Sequence, residues 1–163
     1  MPYSIVQKTI EPQPVLFVRR RITRTEIAAT IGSVLPLIFQ YSQAHGIALV
    51  PGHPLTRYSD ITAGMLTIEP GIRIVERRHL AEPTSDKSSV YEATLPGGLV
   101  ATTIHAGSYD GLHQAYGAIE SWMSANGFEG AGDPWEAYIT DPGDYPNPED
   151  WRTEVFWPVR SAR

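Results

Sequence analysis

Two hydrophobic periods alternate along the chain. Residues 3–10 and 15–22 carry apolar and β-branched side chains in short runs, separated by Glu11-Pro12-Gln13-Pro14, and read as strands. At Thr23 the period changes: Ile27, Ile31, Leu35 and Ile38 recur at helical spacing, with Val34 and Tyr41 beside them. Thr23-x-x-Glu26 is a capping box, Ile22 and Ile27 are placed as a hydrophobic staple across it, and Gly46 is the natural stop. Pro36 lacks an N–H and crowds the preceding turn, so it is expected to kink or divide this helix. Residues 54–58 and 65–69 then read as two strands, with the chain turning between them over 58–64.

The same order recurs. Composition shifts to Ala, Glu, Pro, Ser, Asp and Lys over 80–89, which reads as the connection between halves. A β-branched run over 99–105 follows the Pro96-Gly97-Gly98 turn. A helix over 109–125 has Leu112, Ala115, Ile119, Trp122 and Met123 on one face and Asn126-Gly127 as its cap. Pro134-Trp135-Glu136-Ala137-Tyr138, a Pro-rich loop over 141–150 and a strand over 153–159 complete the chain. Pro54-x-x-x-Tyr58 matches Pro134-x-x-x-Tyr138, and Ala44-His45-Gly46 precedes the first as Ala125-Asn126-Gly127 precedes the second. The expected fold is α+β: tandem strand-helix-strand-strand repeats forming one twisted antiparallel sheet, both helices on one face and a ligand cleft on the other. It is read as a single domain over 1–163, with pseudo-repeat halves at about 1–79 and 90–163.

Glu136 is the informative position, because an ionised carboxylate within an aromatic strand needs partners to offset several kcal/mol of desolvation. Strand alternation sets Trp135, Ala137 and Ile139 on one side and Glu136 and Tyr138 on the other. In the last strand Val155, Trp157 and Val159 share a side, opposite Glu154 and Phe156. With the apolar sets under the helices, Glu136, Tyr138, Glu154 and Phe156 are expected on the open face, joined through the repeat by Thr56 and Tyr58. A carboxylate walled by rings suits a flat organic cation or a polarised aromatic compound. The alternative for Glu136 is pairing with Arg57 or Arg152.

Composition narrows the chemistry. The 163 residues are 42% hydrophobic and 10% aromatic, enough for a packed core without low-complexity tracts. Cysteine is absent, which excludes disulfides, thiolate metal sites and a cysteine nucleophile. The histidines His45, His53, His79, His105 and His113 show no metal-ligand spacing, and there is no serine-nucleophile elbow or phosphate-cradling glycine loop, so no metal or cofactor is expected. The formal net charge is −5, and residues 129–154 hold eight acidic side chains against Arg152 alone, which argues against a nucleic-acid face there. The basic run Arg19, Arg20, Arg21 and Arg24 reads as a solvated strand end. The start of the chain lacks signal-peptide character and no run is long enough to span a membrane, so the cytoplasm is the expected location.

Gly107-Ser108-Tyr109-Asp110, Leu112, Tyr116, Ile119, Trp122, Asn126-Gly127, Pro134-x-Glu136-x-Tyr138, Asp141-Pro142 and Thr153-Glu154 before Pro158-Val159 together resemble the GyrI-like small-molecule-binding family. The resemblance covers nearly the whole chain and departs at Ser108, where a proline is common. It implies a cleft in which a glutamate matching Glu136 contacts cationic, aromatic ligands, as in the effector-binding domains of multidrug-sensing regulators. The first functional expectation is a stand-alone binding protein that sequesters or senses such molecules, with Glu136 as counter-ion and Tyr58, Tyr138 and Phe156 as walls. Thr56 and Glu154 complete the expected ligand-binding set. The second, also implied by relatives, is a hydrolase opening cyclopropane-bearing DNA-alkylating natural products with water, Glu136 acting as base and Tyr138 or Tyr58 assisting. A third is an inhibitory partner of a topoisomerase-like enzyme. No direct nucleic-acid or membrane contact is expected.

Overall fold

A computed structural model describes residues 3–81 and 87–162. In chain order the strands and helices are β1 (Val6–Ile10), β2 (Gln13–Phe17), β3 (Arg20–Thr23), α1 (Ile27–Ala44), β4 (Leu55–Thr62), β5 (Met65–Arg73), β6 (Tyr91–Leu95), β7 (Gly98–Ala106), α2 (Leu112–Asn126), β8 (Phe128–Gly130), β9 (Trp135–Tyr138) and β10 (Arg152–Ser161). The architecture is the α+β one expected, with two helices and antiparallel strands. The chain forms two compact units, residues 12–96 and residues 1–11 with 97–163.

In the unit of residues 12–96 the strand order is β4-β5-β2-β6, with β3 also on β5. The capping box at Thr23 forms, its backbone N–H bonding Glu26 Oε1 at 3.0 Å. A 3-10 turn over Arg24–Glu26 leads into α1. Pro36 does not divide α1, which runs unbroken through it. The reason is position: Pro36 and Gly32, whose carbonyl would accept the missing bond, are both exposed, so that carbonyl is open to solvent. The buried stripe of α1, Val34 and Ile38, packs with Leu16, Val18, Ile72 and Ile74, while Ile27 and Ile31 cover Ile22, Leu66 and Ile68. The turn expected over 58–64 is shorter than that. β4 continues to Thr62 through a bulge between Ser59 and Thr62, and the reversal falls on Ala63 and Gly64, both at positive φ. Gly71 is required by packing, because a Cβ there would lie 2.6 Å from Phe17 and 2.7 Å from Val15.

In the other unit the order is β1-β7-β10-β9, with β8, which the sequence pattern did not reveal, on the far end of β10. Leu112, Ala115, Ile119 and Met123 of α2 pack on Ala101, Val155 and Val159. Gly127 closes α2 at φ 75. The compact units do not follow the repeat boundaries. β1 pairs with β7 instead of staying with the residues that follow it, and β6 pairs with β2, so each copy gives its outer strand to a partner distant in sequence. Of the connection expected over 80–89, residues 82–86 lie outside the described residues.

Candidate functional site

Glu136 sits on β9 and is 4% exposed. Directly opposed residues of antiparallel strands share a face, so the register decides where it points. Glu136 lies opposite Val155, and Tyr138 opposite Thr153, whereas Trp135 lies opposite Phe156 and Ala137 opposite Glu154. Val155 belongs to the cluster under α2, so Glu136 and Tyr138 face that helix. This corrects the expected grouping: Glu136 and Tyr138 are on the helix side, and Glu154 and Phe156 on the reverse. The alternation within β9 was right, as was that within β10, but their relative phase was inverted. A four-residue strand apolar on both sides gives no phase by itself. Trp135 is buried, as expected of a core residue, yet it packs against Phe156 with ring centroids 5.4 Å apart, not beneath α2.

On the helix side the carboxylate is bonded by two phenols. Tyr116 Oη donates to Glu136 Oε1 at 2.8 Å, and Tyr138 Oη donates to Oε2 at 3.2 Å. Burial, then the Glu136 charge, pushes the Tyr116 hydroxyl well above its ordinary pKa, so it is a protonated donor at neutral pH. Tyr109 is raised for the same reasons, burial first and then Glu136 and Asp141. The Tyr109 ring lies 5.8 Å from Tyr138 and 4.9 Å from Trp151, and Tyr116 meets Trp157 edge-on at 6.0 Å.

Local structure fixes these rings. The Asp141 carboxylate accepts from Gly143 N–H and its carbonyl from Asp144 and Tyr145 N–H, which curls the 141–150 loop. Trp151 Nε1 then donates to the Tyr145 carbonyl at 2.7 Å, pinning the indole against Tyr109. Tyr116 stands one residue after Ala115 and four after Leu112, on the margin of the buried stripe, and that spacing is the signal by which it was findable. Tyr109 and Trp151, at the mouth of α2 and the foot of β10, gave no periodic signal. Thr153, beside Tyr138 and His105 in register, is fully buried and its hydroxyl has no hydrogen-bond partner among the described residues.

The remaining expected residues fall into two pairs. Glu154 binds Lys8 at 3.2 Å and accepts from Thr102 Oγ1 at 2.8 Å, and Lys8 Nζ stands 5.3 Å from the Phe156 ring, all on the face away from α2. Thr56 and Tyr58 lie in the unit of residues 12–96, where Tyr58 packs with Ile68 on the α1 side. Thr56, in step with Tyr58 along β4, is fully buried, and its hydroxyl has no hydrogen-bond partner among the described residues. The repeat therefore holds in orientation, each Pro-x-x-x-Tyr strand turning its tyrosine toward its own helix. Of the two arginines weighed against Glu136, Arg57 bonds Glu69 at 3.1 Å and Arg152 donates to the carbonyls of Glu149 and Trp151. Among the described residues no group of three or more His, Asp or Glu is arranged to hold a metal ion, and no helix is long and apolar enough to cross a membrane.

Fold and site define a class: an antiparallel α+β domain with a buried, phenol-bonded carboxylate among aromatic rings. The chain belongs to the GyrI-like small molecule binding domain family, matching its pattern over residues 1–160. A comparison with curated proteins finds no match. Among solved structures, the C-terminal domain of EcmrR is 23% identical, with a TM-score of 0.83 and 99% of each chain covered. In the EcmrR–DNA complex the match spans 98% of this chain and 58% of that one, at 22% identity and a TM-score of 0.81. A hydrolase from Listeria innocua is 14% identical, with a TM-score of 0.63 and 98% and 94% coverage. SAV2435 bound to tetraphenylphosphonium is 11% identical, with a TM-score of 0.58 and the same coverage. At these identities the likeness establishes the fold.

Proposed function

We propose that this domain binds aromatic, often cationic, small molecules, for sequestration or sensing, with the Glu136 carboxylate as counter-ion and Tyr109, Tyr138 and Trp151 as ring walls. The observation that carries this reading is the bonding of Glu136 by Tyr116 and Tyr138. Phenols stabilise a carboxylate by hydrogen bonding without cancelling its charge, and ring faces attract cations. Asp141, whose charge reaches Tyr109, adds to a field that draws cations in. That a relative of the same fold is bound to tetraphenylphosphonium fits the reading. Thr56, Tyr58, Glu154 and Phe156 remain secondary candidates, Glu154 and Phe156 being displaced to the opposite face of their sheet.

The test is a fluorescence titration with tetraphenylphosphonium competing against an aromatic cationic dye, in wild type and Glu136→Gln. Removing the charge from a desolvated pair costs about 2–5 kcal/mol, so affinity should fall by a factor of roughly 30 or more. Equal affinity of the two proteins for the cation would sink the proposal.

A second reading is hydrolysis of cyclopropane-bearing electrophiles, with Glu136 taking a proton from water. It is favoured by the paired tyrosine hydroxyls, which can reorient from Glu136 to a carbonyl oxygen as charge develops there. Chromatography of an activated cyclopropane incubated with wild type and Glu136→Gln decides it. Product no faster than the water background removes this reading while leaving binding intact.

A further inference from the structure

Within residues 12–96, a cavity of about 420 Å³ is lined by Arg19, Arg20, Arg21, Thr67 and Ser88. It lies apart from Glu136 in sequence and unit, and the proposed function does not use it. Its arginines are held in place, and Arg20 meets no carboxylate among the described residues. Arg19 bonds Glu69 through Nε and Nη2, at 3.4 and 3.3 Å, so among the described residues the edge carrying Nη1 is left for another acceptor. Arg20 donates to the carbonyls of Arg19 and Ser88, at 3.1 and 2.6 Å, both neutral acceptors. Arg21 is fixed by Thr67 Oγ1, Thr62 and the Asp60 carbonyl, with the Asp60 carboxylate 3.5 Å away. Glu69, 2% exposed, is shared between Arg19 and Arg57. Among the described residues, four guanidinium groups meet two carboxylates, Glu69 and Asp60, in a protein whose formal net charge is −5. Thr67 is 8% exposed and accepts from Arg21, so its own proton is available to donate.

Arginines fixed by carbonyls have lost their rotamer freedom before a ligand arrives, and their planar forks match oxyanions. We propose that this cavity is a binding site for a small multivalent oxyanion, of the phosphate or polycarboxylate class, gripped by Arg19 Nη1 and Arg20 with Thr67 donating. The site does not rest on the reading of Glu136.

Titration calorimetry with pyrophosphate and, separately, citrate tests it. Saturable one-to-one binding is expected, weakening as NaCl is raised from about 50 to 500 mM, because partly exposed charges are screened. Arg20→Gln should lose at least about tenfold in affinity while its melting temperature without anion stays that of wild type. Binding of pyrophosphate alone identifies a phosphate site, and of citrate alone a carboxylate site. Absence of saturable binding with either anion, or equal affinity in Arg20→Gln, overturns the proposal. Should Arg20→Gln fail to fold, Arg20→Lys keeps the charge and loses the fork, and affinity unchanged in that variant is equally fatal.

Discussion

Replacing Tyr116 by phenylalanine deletes one oxygen and keeps the ring that meets Trp157. The lost interaction is the 2.8 Å bond to Glu136 Oε1, made to a carboxylate only 4% exposed. A hydrogen bond to a charged group is worth about 1.5–3 kcal/mol, so Tyr116→Phe should lower stability at pH 7 by about that amount. The alkaline limb sharpens the test. The Tyr116 hydroxyl is held well above its ordinary pKa of 10.0 by burial and by Glu136. Once the pH passes the unfolded value, the unfolded chain has released a proton that the folded chain still binds. Stability therefore falls as pH rises, by up to about 1.4 kcal/mol per pH unit for this one group. The variant lacks that proton. The gap between wild type and Tyr116→Phe should then be full below about pH 9 and shrink steadily above pH 10. Tyr109 and Tyr3, also raised, contribute equally to both proteins, so the difference isolates Tyr116. Urea unfolding followed by far-UV circular dichroism from pH 7 to 11 measures it. Equal stability at pH 7, or two pH curves that stay parallel through pH 11, would refute the assignment of Tyr116 as a buried donor to Glu136.

Two substitutions probe the packing around the sites. Gly71→Ala places a Cβ against Phe17 and Val15, both fully buried, and should cost about 1–3 kcal/mol in chemical denaturation; an unperturbed midpoint would mean that β2 shifts freely. Thr153→Val removes a buried hydroxyl without a partner among the described residues while keeping its shape, so calorimetry should show stability raised by about 1 kcal/mol; a fall would indicate that an ordered water satisfies it.

The helices were legible because their signals are local. Thr23 and Glu26 are three residues apart, Ile27 to Ile38 keep one period, and Gly127 sits where a left-handed cap is needed. β8 was missed because three residues ending in glycine carry no alternation. The pairing of β1 with β7 was missed because Gln7, Lys8 and Thr9 say nothing of a partner about ninety positions away. The phase of β9 failed for a related reason: Trp135 and Glu136 are both buried, so polarity alone could not tell the helix side from its reverse.

Glu69 makes the same point about function. It too is a carboxylate within an apolar strand and is 2% exposed, although the sequence pattern placed it at the end of its strand. What separates them is the chemistry of the partners. Arg19, fifty residues away, and Arg57, across the strand pair, bring two full positive charges to Glu69, so a cation approaching it would first have to displace a guanidinium. Tyr116 and Tyr138, both uncharged, donate hydrogen bonds to Glu136. An ion pair suits a carboxylate that locks strands together, and phenol donors suit one that keeps its field for a ligand. A mid-strand glutamate in the sequence therefore marks a site worth locating, and the side chains delivered by distant elements decide whether it binds or braces.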